Sequence, residues 1–320
     1  MNQPLPFLSA EELTELLPYA DLIAALRRAF RTKGQVPPRP HYTYENPALQ
    51  MTGTLLLMPA WQDQYLGVKM ATVSPKNGAF QLPAVQGIYT LFETKTGQPI
   101  ASLEAKTLTN LRTAATSALA ADYLATSQAK TLLMVGTGAL APALIRAHAT
   151  VRPIRRVFVW GRNFSNAKKV AAQFSNALFS VTAVSDLTTY LPEADIISCA
   201  TLSPTALILG RELRAGQHLD LVGSYQPHTR EADDECIRRA EVYVDTREGA
   251  LRESGDLAIP LRTGVLSEAD IRGDLFQLCN GTASGRRASE AITLFKSVGY
   301  ALEDLAAAIL AYERWRHEAF

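Results

Sequence analysis

The stretch Thr131-Leu-Leu-Met-Val-Gly136-Thr-Gly138-Ala-Leu-Ala141 decides the fold of this 320-residue chain. Strand-favouring apolar residues run directly into Gly-x-Gly-x-x-Ala, and a helix-compatible segment, 142–149, follows. A strand, a tight turn and a helix in that order form the context that a dinucleotide-binding turn requires. Gly136 permits the turn, Gly138 lets the backbone approach a pyrophosphate, and Ala141 allows close strand–helix packing. The phosphates then meet a helix N-terminus, where unpaired N–H groups and the helix dipole favour an anion. Thr137, Ala139 and Leu140 complete the turn and join the candidate cofactor contacts.

The pattern around this turn alternates. Strands are predicted at 131–136, 156–160, 180–183, 196–200, 218–222 and 241–244, with helices at 141–149, 165–174, 187–191 and 231–239. Such alternation is the signature of a doubly wound parallel sheet. The first third reads differently. Segment 8–30 predicts two helices, opened by the capping box Ser9-Ala-Glu-Glu12. Segment 36–40 is an extended loop. Strands at 54–59, 65–73, 86–93 and 100–104 form a meander, with a hairpin turn at Thr94-Lys-Thr-Gly97, and an Ala-rich helix spans 107–124. Segment 292–320 reads as one long helix that returns to the first domain. The expected class is therefore α/β: a Rossmann domain, 117–292, beside an α+β domain, 1–116, completed by 293–320.

Composition narrows the function. A net charge of +1 without a basic run argues against nucleic acid or an anionic membrane as partner. The first residues lack the features of a secretory signal, and no apolar run approaches the roughly 18 residues of a membrane span. Cytoplasm is the expected compartment. Cys199, Cys236 and Cys279 form no Cys-x-x-Cys pair and read as reduced thiols. The histidines show no metal-ligand spacing, so no metal is expected.

The chemistry-bearing residues lie at strand ends and in the first domain. The second Rossmann strand ends in Gly161-Arg162-Asn163, with no acid to bond a ribose 2′-hydroxyl. Arg162 and Asn163 instead suit a 2′-phosphate, which points to NADPH, with NADH possible and a solvated loop arginine as the alternative. Thr201 and the Gly223-Ser224 pair follow later strands, where ligands bind in doubly wound sheets. Lys69 stands in an almost wholly apolar strand, Leu66-Gly-Val-Lys69-Met-Ala-Thr-Val. Burial there would lower its pKa and make it a proton donor or acceptor; a snorkelling lysine on a wet face is the bland alternative. Arg112, with Thr113 beside it, sits among small residues that leave a guanidinium room to grip a carboxylate in a two-pronged fork. Arg39, between two prolines, is a third candidate anion contact.

Together these residues resemble the ornithine cyclodeaminase/μ-crystallin family. The resemblance rests on Gly67-Val-Lys69, Leu111-Arg-Thr-Ala-Ala, Val135-Gly-Thr-Gly-Ala, Trp160-Gly-Arg-Asn, Val222-Gly-Ser-Tyr-Gln-Pro, Arg230-Glu-Ala-Asp-Asp-Glu235, Tyr243-Val-Asp-Thr-Arg-Glu248, Glu253-Ser-Gly-Asp256 and Leu294-Phe-Lys-Ser-Val-Gly299. It implies a homodimer whose first domain binds substrate and forms the interface. It implies that Lys69, Arg112 and Arg39 meet the substrate, with Ser224, and that Thr113, Gly136 to Leu140, Gly161 to Asn163, Thr201, Gly223 and Ser224 meet the dinucleotide. The family's cyclodeaminases carry Gly-x-Asp-x-Pro after the fifth strand, and here Tyr225 stands at the Asp position. The implied activity is therefore that of the ketimine reductases: NADPH-dependent reduction of Δ1-pyrroline-2-carboxylate or Δ1-piperideine-2-carboxylate to L-proline or L-pipecolate. Arg112 would hold the carboxylate and Lys69 would supply the proton. An alanine-type dehydrogenase, an ornithine cyclodeaminase and a non-catalytic ligand-binding protein are the alternatives.

Overall fold

The computed structural model describes residues 5–32, 34–47, 50–74 and 76–319. Residues 1–4, on which the signal reading rests, and residue 320 lie outside them. The chain divides into two compact units, Met1–Thr113 with Ala301–Phe320, and Ala114–Tyr300.

The first unit begins with β1 (Phe7–Leu8), α1 (Ala10–Leu16) and α2 (Tyr19–Arg31). Ser9 and Glu12 close a reciprocal capping box at the start of α1. Strands β2 (His41–Asn46), β3 (Met51–Gln62), β4 (Tyr65–Val73), β5 (Val85–Glu93) and β6 (Pro99–Glu104) follow. They form a six-stranded sheet in the order β1-β6-β5-β4-β3-β2, antiparallel except where β1 joins β6. Strand β4 has period-two burial: Tyr65, Gly67, Lys69 and Ala71 face inward, while Met70 is exposed. Gly67 is required because a Cβ there would strike the Tyr89 hydroxyl. The helix α3 (Ala105–Leu124) carries the chain across the division between the units.

The second unit comprises β7 (Thr131–Val135), α4 (Ala141–Val151), β8 (Arg156–Trp160), α5 (Phe164–Ala172), β9 (Ser180–Val184), α6 (Leu187–Tyr190), β10 (Ile196–Cys199), β11 (His218–Leu221), α7 (Asp234–Arg239), β12 (Ala240–Val244), α8 (Arg247–Glu253), α9 (Gly255–Thr263), β13 (Ile271–Asp274), α10 (Leu275–Asn280) and β14 (Ile292–Lys296). Its eight strands are all parallel, in the order β13-β12-β14-β11-β10-β7-β8-β9. The order reverses between β7 and β10, which is the topological switch point of a Rossmann sheet. Leu133, Val135, Ile197, Leu219, Leu221, Val242 and Leu294 fill the core of this unit. Each such side chain stabilises by about 1.5–3 kcal/mol on burial. A buried polar chain, His148 to Asp220 to Ser198, ties α4 to β10 and β11.

Three readings are corrected. Segment 292–320 is not one helix: β14 occupies Ile292–Lys296, and the last helix, α11, spans Ala301–Ala319. Strand β14 is buried along its whole length, so it shows no alternation to separate strand from helix. The unit boundaries accordingly fall at 113/114 and 300/301, a few residues from 116/117 and 292/293. Helix α7 starts at Asp234, capped by Asp233, which leaves Glu231 in a loop. Among the described residues, no helix is long and apolar enough to cross a membrane.

Candidate functional site

In the first unit, Lys69 meets the start of α11, which packs on β3, β4 and β5. Its Nζ donates to Asp304 Oδ1 at 2.9 Å and Oδ2 at 2.8 Å, and lies 3.5 Å from Thr109 Oγ1. Arg112 of α3 donates through Nε to Asp304 Oδ1 at 3.0 Å and through Nη1 to Glu303 Oε2 at 2.5 Å. Two cations therefore share one carboxylate, and a second acid completes a neutral set of four. Both acids are fully buried, whereas Lys69 and Arg112 keep 5% and 4% of their surface, so the cations form the reachable edge.

Burial pushes the Lys69 ammonium down from 10.5 to about 8; Arg112 adds to the push and Asp304 opposes it. Burial also works against Arg112, but Asp304 and Glu303 outweigh it and raise the guanidinium above its ordinary value. Burial acts to raise the Asp304 carboxyl, and Arg112 and Lys69 reverse this and hold it below the ordinary carboxylate value. Tyr89 pairs with Lys69 across the sheet, is fully buried, and its hydroxyl has no hydrogen-bond partner among the described residues. The set offers one titratable proton near neutral pH beside a permanent cation.

The two-pronged fork expected for a ligand is therefore half committed. Arg112 Nε and Nη1 are taken by Asp304 and Glu303, because a guanidinium buried without anions would be strongly unfavourable. Among the described residues, Nη2 has no protein acceptor. Glu303 and Asp304 escaped the sequence reading because acids in a first helical turn usually serve only the helix dipole. The available signal was their setting, Ala301-Leu-Glu-Asp-Leu-Ala-Ala-Ala, where neighbouring faces are apolar and a buried acid needs a cation. Arg39 stands half-buried in the extended segment before β2, where its charge, after burial, lowers the His41 pKa.

In the second unit the two glycines of the turn differ in their surroundings. Gly136 has φ +124°, and a Cβ there would meet the Ala200 carbonyl oxygen at 2.5 Å. At Gly138 a Cβ would meet nothing within 4 Å. The turn is thus strained for other residues at its first glycine and open at its second. Helix α4 has no side-chain cap and no acid in its first turn, so its positive end is uncompensated. A cavity of about 310 Å³ adjoins the turn, lined by Thr137, Gly138, Ala139, Asn166, Lys169 and Gln173 among others. Asn166 and Lys169 were not anticipated; they lie on α5, opposite the turn, a placement that sequence spacing does not give.

At the end of β8, Arg162 is exposed and has no ion-pair partner among the described residues. Asn163 caps α5 through Oδ1, which accepts from Ser165 N at 2.9 Å. Gly161 gives room to the Thr137 side chain, which a Cβ would meet at 2.6 Å. Thr113 is buried. The loops after β10 and β11 touch: a Cβ at Gly223 would collide with the Thr201 backbone. Ser224 is turned inward, its hydroxyl donating to Thr229 O at 2.6 Å. The Thr201 hydroxyl donates to the buried Glu231 at 2.8 Å.

The model of the ornithine cyclodeaminase/mu-crystallin family matches residues 6–319. The chain belongs to this family. A Delta(1)-pyrroline-2-carboxylate reductase of Colwellia psychrerythraea is 36% identical over 310 residues, covering 96% of this chain and 98% of that protein. The structure of Thermococcus litoralis Delta(1)-pyrroline-2-carboxylate reductase, in complex with NADH and L-proline, matches with TM-score 0.92 and 34% identity over 98% of both chains. An archaeal alanine dehydrogenase dimer with bound NAD matches with TM-score 0.91 and 27% identity, covering 99% of this chain and 97% of that one. Tyr225, in the loop after β11, is 47% exposed.

Proposed function

We propose that this chain is an NAD(P)H-dependent oxidoreductase of CH–NH bonds that reduces a cyclic imino acid. The observation that carries this reading is the Lys69–Asp304–Arg112 cluster, which pairs a proton donor of pKa about 8 with a carboxylate-seeking guanidinium. Relatives that act on Δ1-pyrroline-2-carboxylate and span the whole chain support it. Gly138 leaves open the space that a diphosphate needs, and the N-terminus of α4, with no acid in its first turn, favours an anion there, so the residues present fit a dinucleotide. When bound, a reduced nicotinamide supplies the hydride for the imine carbon.

The chain's own residues do the rest. Arg112 Nη2 holds the substrate carboxylate and so orients the C=N bond. Lys69 Nζ gives its proton to the imine nitrogen, which makes the carbon electrophilic, and regains one from water after turnover. Asp304 balances the charge of the Lys69 ammonium before the transfer, and the neutral amine left afterwards does not repel the iminium. Arg39 contributes a further contact to the substrate. On the cofactor side, Arg162, Asn163 and Lys169 favour a 2′-phosphate, and NADPH is the preferred form with NADH usable. The substrate ring is five- or six-membered, giving L-proline or L-pipecolate.

A homodimer through the first unit's sheet belongs to this proposal. By register, Tyr42, Leu55, Leu57, Met70 and Ile88 share the face opposite Lys69, and Tyr42 and Met70 are 55% and 40% exposed. A second copy of the same face would cover them. Steady-state kinetics on both cyclic imines with NADPH and with NADH tests the catalytic reading. Alanine-type dehydrogenation is the second reading, supported by the fold match to that enzyme, and it requires ammonia and a linear 2-oxo acid.

A further inference from the structure

Glu231 is a buried carboxylate near the sheet's carboxyl edge on which four donors from two loops converge, and the site as described gives it no role. Glu231 is fully buried. Its Oε1 accepts from Thr201 N at 2.7 Å and Thr201 Oγ1 at 2.8 Å. Its Oε2 accepts from Gly223 N at 2.7 Å and Ser224 N at 3.3 Å. One carboxylate therefore ties the loop after β10 to the loop after β11. Gly223 makes the tie possible, because any Cβ would push the loops apart. Glu231 is itself anchored: its backbone N donates to Asp256 Oδ1 at 2.7 Å, and Asp256 Oδ2 lies 3.1 Å from Lys296 Nζ, all fully buried. The tied loops also abut the glycine turn, since Ala200 N donates to Val135 O at 2.9 Å and the Ala200 carbonyl stands against Gly136.

We propose that Glu231 is a positioning residue that fixes the two loops receiving the nicotinamide half of the cofactor; this rests on the dinucleotide reading above. In a doubly wound sheet the first βαβ half takes the adenosine end and the second half takes the other mononucleotide. Strands β10 and β11 open that second half, and their loops are the ones that Glu231 joins. The Glu231 carboxylate is itself fully buried and accepts its bonds from N–H and O–H groups of these two loops, so it acts on the cofactor only through the loops.

Equilibrium binding to the full-length protein separates the possibilities. NADPH probes the whole site, whereas adenosine 2′,5′-bisphosphate probes only the adenosine half. Glu231→Gln turns an amide N–H toward one pair of donors, so at least the bond from Thr201 N, or both bonds from Gly223 N and Ser224 N, is lost. NADPH affinity should fall by about tenfold or more while the bisphosphate stays within about twofold of wild type. Thr201→Val, which keeps the side-chain shape and removes the hydroxyl that donates to Glu231 and accepts from Ser203 N at 3.4 Å, should weaken NADPH by several-fold, again sparing the bisphosphate. It carries the test if Glu231→Gln does not fold. Parallel loss of both ligands, or unchanged NADPH affinity in both variants, overturns the positioning role. Failure of the wild type to bind NADPH, NADH or the bisphosphate would instead overturn the dinucleotide reading itself.

Discussion

Lys69 and Asp304, 235 positions apart in the chain, form a two-point ion pair: the ammonium lies 2.9 and 2.8 Å from the two carboxylate oxygens. Arg112 shares one of those oxygens at 3.0 Å. The carboxylate is thus the hub that lets two buried cations coexist, and its removal should cost more than either cation's. Asp304→Asn is expected to lower unfolding free energy by about 3–5 kcal/mol, because two buried charges lose their partner. Urea denaturation checks this. A loss below about 1 kcal/mol would mean that the cations find other compensation.

The lowered Lys69 pKa sets a pH signature. If the ammonium is the proton donor, activity needs its protonated form, so kcat/KM should fall as pH rises through about 8. Lys69→Gln should lose most activity and flatten that limb. Stability moves the other way. The folded value lies below 10.5, so between about 8 and 10.5 the unfolded chain holds more protons, and this group's contribution to stability grows as pH rises. A wild-type limb that survives in Lys69→Gln would assign the titration to another group.

Arg112→Ala should raise KM for a cyclic imino acid sharply, by roughly a hundredfold, since a charged hydrogen bond to the carboxylate goes. Unchanged kinetics would remove Arg112 from the site. Arg162→Ala should weaken NADPH by about tenfold or more and leave NADH near wild type. A cofactor ratio that does not move would show that the 2′-phosphate sits elsewhere.

The two glycines of the turn should separate by cause. Gly136→Ala is strained by its φ of +124° and collides with Ala200, so stability should drop by about 1–3 kcal/mol. Gly138→Ala meets open space, so stability should hold while NADPH binding is lost. Thermal melts and cofactor titrations on the same two variants check both halves.

The Rossmann unit was legible because its turn, its strands and its residue types agree locally: β7 ends one residue before Gly136, and the helix begins at Ala141. Lys69 was legible as one charge in an apolar strand, and Arg112 as one among small residues. Their anions were not, because Glu303 and Asp304 come from the far end of the chain and look like ordinary helix-opening acids. Strand β14 was hidden by burial on both faces, which erases the period that marks a strand. Glu231 was hidden for a related reason: its position at the edge of a polar run, Arg230-Glu-Ala-Asp-Asp, extends a helical pattern that the structure starts three residues later.

Steady-state kinetics with Δ1-pyrroline-2-carboxylate and Δ1-piperideine-2-carboxylate, set against pyruvate plus ammonia, tests the proposed reaction most directly. The account predicts ammonia-independent oxidation of NADPH on a cyclic imine, with L-proline or L-pipecolate as product. Turnover of pyruvate and ammonia with no turnover of either cyclic imine would contradict it.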